Sequence, residues 1–212
     1  MQAETSNELK CSKKDAILQA AEEVFIQKGY DGARMVEIAN RAGVGHPLLH
    51  YHFSNKKMLF QQVVKRKFNI LSQSFWVLLN EKDMDIRDWI EIMVARHFDF
   101  IVQHGDYIRF ILNELEMHPE LFLDAKPFIL DEFNKATTKL QILLDDASEK
   151  GAISRMNAED LLLDIISLNL FSIWTKPLLY KLKDFVKEDT LLQARKEENI
   201  KMIIGRLLLN IN

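Results

Sequence analysis

Residues 46–52, HPLLHYH, gather His46, His50, Tyr51 and His52 into two turns of chain. Imidazole and phenol groups at such spacing can hold a metal, move protons in catalysis, or offer ring N–H and O–H groups to a polar surface. His46 and His50 stand one helical turn apart with His52 nearby, a spacing open to zinc. No Cys or carboxylate accompanies them, and a zinc site needs a full set of N, S or O ligands. Catalysis finds as little to work with. The chain has no Gly-rich phosphate loop, no Gly-x-Ser-x-Gly elbow and no Cys/His pair at a meaningful spacing. No metal, cofactor or enzymatic activity is expected, and recognition of a polar surface is what remains.

The elements around this run would aim its tips outward. Met35, Val36, Ile38 and Ala39 supply the apolar positions of a short helix, which Gly43 in Ala42-Gly43-Val44 then breaks. Pro47 sits near the start of the next helix, where its missing N–H costs nothing. Leu49 and Phe53, four apart, make that helix's inner face and leave His46, His50, Tyr51 and His52 outside. Two short helices hinged by a Gly-containing turn, the second with polar and aromatic tips, form the helix-turn-helix that enters a DNA major groove.

The flanks sharpen this reading. Ile17, Leu18, Ala20, Ala21, Phe25, Gly29 and Tyr30 make a preceding helix that ends in Gly-Tyr, and Ser54, Asn55, Lys56, Lys57 and Leu59 open a long fourth one. The matching elements Ala20-Ala21, Phe25, Gly29-Tyr30, Ile38-Ala39, Ala42-Gly43-Val44, Leu49, Tyr51, His52-Phe53, Lys56 and Leu59 together resemble the DNA-binding domain of the TetR family of transcriptional regulators. The resemblance covers residues 13–60, a little under a quarter of the chain. It implies a homodimer whose variable C-terminal domain binds a small effector. It also implies DNA contacts from Arg34, Met35, Val36, Gly45, His46, Pro47, Leu48, His50, Tyr51, His52, Lys56 and Lys57. Arg34 stands where the family usually has a capping Thr or Ser, Gly45 replaces a Ser, His50 a Tyr, and Leu48 a smaller residue. At those positions the place carries over and the chemistry does not. Arg34 can reach a phosphate through its guanidinium, and His50 through a ring N–H.

Charge is divided along the chain in the sense DNA binding requires. The formal net charge is −3, yet residues 1–67 hold 11 Lys+Arg against 7 Asp+Glu, and the rest holds 17 against 24. A basic N-terminal module on an acidic body suits phosphate contact at one end. Lys10, Lys13 and Lys14 precede the first helix, and Lys56 and Lys57 open the fourth. The 212 residues suit one or two domains, and 48% hydrophobic content excludes a largely disordered chain. With 7 Gly, 4 Pro and no alternating strand pattern, the expected fold is all-α. Cys11 is the single cysteine, so no intrachain disulfide can form and a reducing cytoplasm is expected. The N-terminus MQAETSNELK lacks the apolar core of a signal peptide. The longest uncharged apolar run, Ile165–Thr175, has 11 residues against the roughly 20 needed to cross a bilayer.

Beyond residue 80 the pattern turns to longer amphipathic helices. Residues 81–85 read as a linker, and the helix from Ile86 to about His104 carries Ile86, Trp89, Met93, His97, Phe100 and His104 on one stripe. Trp89, Met93, His97, Phe100 and His104, with Tyr107 and Phe110, are the candidate effector pocket: apolar walls with a few polar anchors. Buried, hydrogen-bonded core histidines are the simpler reading of the His97 and His104 spacing. Helices follow over 106–117, over 125–150 up to Gly151, and from Ala158 behind an Asn157 cap. That last one, LLLDIISLNLFSIWT, is apolar nearly all round. Ile200, Ile203, Ile204, Leu207, Leu208 and Ile211 repeat at three and four in the final helix. Leu161, Ile165 and Leu168 with those six are the candidate dimer seam, closing a four-helix bundle across a two-fold axis.

The expected architecture is therefore a three-helix DNA-binding domain with a helix-turn-helix over residues 10–70, and a larger helical effector-binding and dimerisation domain over 71–212. The expected partners are a double-stranded, pseudo-palindromic DNA operator, a second copy of the chain and a small apolar effector, with no membrane. Repression is favoured because a dimer on an operator blocks polymerase without further contacts. A helical protein–protein adaptor with a structural helix-turn-helix, and a regulator with no effector, stay open as alternatives.

Overall fold

The computed structural model describes residues 2–79, 84–175, 178, 181 and 188–208, and these form helices joined by turns, with no strand. The order is α1 (Gln2–Gly32), α2 (Met35–Arg41), α3 (His46–His52), α4 (Lys56–Leu79), α5 (Ile86–Gln103), α6 (Gly105–Met117), a 3₁₀ turn (Pro119–Leu121), α7 (Lys126–Glu149), α8 (Ala158–Trp174) and α9 (Glu188–Leu208). Lys10, Lys13 and Lys14 lie within α1 and do not precede it, because the helix begins at Gln2. The side chains of Lys10 and Cys11, the proposed linker at 81–83 and Ile211 fall outside the described residues.

Local chemistry sets the helix ends. Gly29 interrupts α1 with φ 69° and ψ 174°, a conformation reached almost only by glycine. The break frees the N–H of Tyr30, which donates to Oε1 of Glu114 on α6 at 3.0 Å. Oδ1 of Asn55 accepts from the N–H of Met58 at 2.8 Å and starts α4. Asp85 opens α5 by accepting from Arg87 N–H at 2.8 Å, and Asn157 opens α8 by accepting from Glu159 and Asp160 at 2.7 and 3.2 Å. After α7, Gly151 turns the chain with φ 72°.

The chain divides into two compact units, one formed by Met1–Asn69 with Asp106–Ile129 and the other by Ile70–Gly105 with Leu130–Asn212. In the first, Phe25, Phe60 and Phe110 meet pairwise at 5.5–6.3 Å between ring centres, with Ile17, Ala21, Ile38, Leu49, Phe53 and Leu59 buried around them. The division at residue 70 in the sequence pattern leaves α6 to the C-terminal domain. The structure places it in the first unit, because Tyr107 and Phe110 are needed to complete that aromatic core. The second unit packs α5, α8 and α9 together with α7 around Ile90, Val94, Leu140, Leu144, Leu161, Ile165, Ile203 and Leu207.

Candidate nucleic-acid interface

Helices α2 and α3 are held from within. Ile38, Ala39, Leu49 and Phe53 are buried in the first core, which fixes one side of each helix and turns the other to solvent. Between them Gly43 adopts φ 65°, and the N–H of Val44 donates to the carbonyl of Ala39 at 3.0 Å. Gly45, in extended conformation, precedes α3, and Pro47 occupies its first turn. His46, Pro47, His50 and Tyr51 stand exposed, Tyr51 at 72%. Val36 and Arg34 are also exposed, Arg34 as the residue before α2, while Met35 and Leu48 are half-buried. His52 is half-buried, and its Nε2 is a buried atom with no hydrogen-bond partner among the described residues. The His46 and His50 rings meet edge-on at 4.4 Å, and Nδ1 of His50 lies 3.3 Å from the Ser54 carbonyl. A carbonyl oxygen only accepts, so this contact favours the His50 tautomer with its proton on Nδ1.

The basic residues divide differently from the sequence expectation. Lys56 Nζ donates to three carbonyls at the end of α1, Tyr30 at 2.8 Å, Asp31 at 3.3 Å and Ala33 at 3.2 Å. Its ammonium also sits 4.5 Å from the centre of the Tyr30 ring. In this arrangement its charge closes the kinked end of α1, where helix carbonyls lack partners. Lys57 pairs with Asp124 at 3.1 Å; a hydrogen bond from Gln61, then this pairing with Lys57, hold the Asp124 carboxyl below the usual range. Lys28 pairs with Glu37, and Arg41 with Gln27 and Glu23. Burial, then Asp31, Glu120 and Glu114, raise the Tyr30 phenol. Lys13 and Lys14 are exposed on α1.

Two short helices joined at Gly43, with His46, His50 and Tyr51 of the second exposed, define a helix-turn-helix DNA-binding module on an all-helical chain. The family model of bacterial regulatory proteins of the tetR family matches residues 17–63. Residues 17–63 are thus a DNA-binding domain of the TetR family of transcriptional regulators. The chain is 35% identical over 115 residues to the transcriptional activator FasR of Mycolicibacterium smegmatis, covering 54% of this chain and 52% of that protein. It is 32% identical over 127 residues to IcaR of Staphylococcus aureus, negative regulator of the biofilm operon icaADBC, covering 59% of this chain and 66% of that protein. The chain thus aligns with about half to two thirds of the length of these relatives. Its fold is shared by Bacillus subtilis FadR in complex with stearoyl-CoA, with TM-score 0.66, 18% identity and coverage of 90% and 97%. Salmonella enterica GusR shares it too, with TM-score 0.65, 14% identity and coverage of 92% and 95%.

The buried candidate effector residues are divided between the two cores. Tyr107 and Phe110 are buried in the first core, Phe110 stacked on Phe25 at 6.3 Å, whereas Trp89 and Met93 belong to the core of the second unit. Burial and the charge of Glu22 push the Tyr107 phenol far up. Phe100 and His104 are half-buried and meet at 4.5 Å. His97 enters a polar cluster with Asn169, Asn199 and Ser172. Asn169 Nδ2 donates to the Val94 carbonyl at 3.1 Å and to His97 Nδ1 at 3.0 Å, while its Oδ1 accepts from Asn199 Nδ2 at 2.8 Å. Asn199 also reaches Ser172 Oγ at 3.4 Å, and its own Oδ1 is buried without a partner among the described residues. Burial lowers the His97 pKa to about 4, so the ring is neutral with its proton on Nε2. A lone Asn inside the apolar run of α8 was the only sequence signal for this cluster. A separate cleft of about 190 Å³ in the second unit is lined by Trp89, Met84, Ile86, Leu143, Asp146 and Lys150, among others.

The candidate seam divides as well. Leu161, Ile165, Ile203 and Leu207 are buried inside the chain's own second core. Leu168, Ile200, Ile204 and Leu208 are half-buried. The apolar groups that α8 and α9 leave exposed are Leu163, Ile166, Phe171, Trp174 and Met202. No described helix is long and apolar enough to cross a membrane, and no group of three or more His, Cys, Asp or Glu among the described residues could hold a metal ion.

Proposed function

We propose that the chain is a homodimeric repressor that grips a pseudo-palindromic operator and releases it on binding a small apolar effector. The observation that carries this reading is the exposure of His46, His50 and Tyr51 on a helix whose opposite side, Leu49, is buried in the first core. One such helix reads one half-site, and a second copy supplies the other, about 34–36 Å away. Exposed Phe171 and Trp174 on α8, at 62% and 69%, give that second copy an apolar face to cover. The negative regulator IcaR among the relatives favours repression, and a dimer on an operator needs no further surface to block polymerase. The FadR structure, a complex with stearoyl-CoA, favours an effector with a long apolar part.

The cleft beside Trp89, about 190 Å³, is smaller than the roughly 300–1,000 Å³ of drug-sized pockets. An effector larger than a fragment would therefore repack the second unit around Trp89, Met93, His97, Phe100 and His104. Helix α4 contributes to both units, so a ligand preferring one position of its C-terminal half would bias the DNA-bound state. A tenfold loss of operator affinity needs about 1.4 kcal/mol of such preference. The test is selection from a random duplex library by gel shift. An enriched two-fold symmetric sequence, bound with log affinity falling linearly against log salt, is the expected result. A library that enriches nothing rejects DNA recognition and leaves the helical adaptor.

A further inference from the structure

We infer that operator binding takes up a proton at His50, so that this residue is a charge-gated DNA contact; the inference rests on the DNA reading above. The Ser54 carbonyl, 3.3 Å from His50 Nδ1, favours the tautomer with the ring proton on that nitrogen. The neutral ring then offers solvent a bare Nε2, which can only accept. DNA phosphates are acceptors, and so are guanine N7 and O6 in the major groove, so neither can bond a bare ring nitrogen. Protonation converts Nε2 into a donor and adds a positive charge, and the Nδ1 bond to the carbonyl strengthens as the ring becomes cationic.

The surroundings make this charge matter. Helix α3, HPLLHYH, has no Lys or Arg. The cations beside it are committed elsewhere: Lys56 to the carbonyls of α1, Lys57 to Asp124, and Arg41 of α2 to Gln27 and Glu23. Glu37 of α2 is held by Lys28, and Arg34 stands exposed ahead of that helix. No carboxylate among the described residues forms an ion pair with His50, so the polyanion itself supplies the countercharge. His46, with its ring 4.4 Å away, is the nearest titratable neighbour. His50, already held by a carbonyl acceptor, is the better site.

The experiment measures operator affinity at constant salt between about pH 8 and 6, the range in which imidazoles titrate. Wild type should gain affinity as pH falls, approaching but not exceeding tenfold per pH unit, the limit for one proton. His50→Gln, which can donate but cannot charge, should show a flat profile, and His46→Gln should keep the wild-type slope. Circular dichroism at each pH checks that the variants stay folded. A flat wild-type profile overturns the inference, as does a slope that survives in His50→Gln. Affinity rising with pH also overturns it, because it would mean that the bare Nε2 accepts from a cytosine or adenine amino group. Binding that is absent at every pH rejects the DNA reading itself, whereas pH-independent binding rejects only the proton.

Discussion

At the scale of single residues, the second unit contains a histidine that the fold keeps neutral. His97 accepts from Asn169, and burial lowers its pKa to about 4. Above about pH 6.5 the ring is neutral in both folded and unfolded chains and contributes no pH dependence. As pH falls below that, the unfolded chain binds a proton that the folded one refuses, so stability drops until about pH 4 and then levels off. The full shift amounts to roughly 3 kcal/mol. Urea melts at pH 7 and pH 5 should show a loss of about 2 kcal/mol in wild type that His97→Gln lacks. Equal losses in both proteins would assign the effect to other groups. The exposed residues of α3 were legible in the sequence because a Gly turn, Pro47 and the Leu49–Phe53 spacing fix which side of that helix is buried. Asn169 was not, because one amide in an apolar run does not reveal which helices will bring it partners.

At the scale of elements, the helix boundaries followed from capping chemistry that a sequence displays openly, such as Asn157 before α8 and Gly151 after α7. The role of Lys56 could not be read that way, because its partners are backbone carbonyls of α1 and backbone carries no residue signature. Lys56→Ala should lower the stability of the first unit by about 1–3 kcal/mol, the cost of losing charged hydrogen bonds and leaving carbonyls unpaired. Its effect on DNA should come through folding alone. At temperatures where the variant is folded, the slope of log affinity against log salt should match wild type; a slope lower by about one would restore Lys56 to the phosphate backbone.

At the scale of the whole molecule, the apolar excess of α8 and α9 was visible in the sequence, but not how it is divided. Periodicity marks which positions are apolar, and on a helix that is apolar all round it cannot say which of them the chain's own core consumes. Leu207 is fully buried within the chain and Phe171 is 62% exposed, so the two should respond differently to a charge. Leu207→Glu should unfold the second unit, since an unpaired buried charge costs several kcal/mol. Phe171→Glu should stay folded, sediment as a monomer and bind operator weakly because two half-sites are no longer engaged together. A Phe171→Glu protein that remains dimeric would move the seam elsewhere.

The aromatic core of the first unit bears on how such regulators can be recombined. Phe110 stacks on Phe25, and Glu114 takes the amide that the Gly29 break leaves open. A fragment cut after residue 70 would keep every residue of the helix-turn-helix yet expose Phe25 and Phe60 where α6 had covered them. Grafting this DNA-reading head onto another sensor body, or the reverse, thus has its natural junctions at three points of the chain, not at one. A chimera that carries residues 106–129 along with the head preserves the head's core, and one that borrows those residues from the recipient inherits a mismatched core beneath an intact recognition helix.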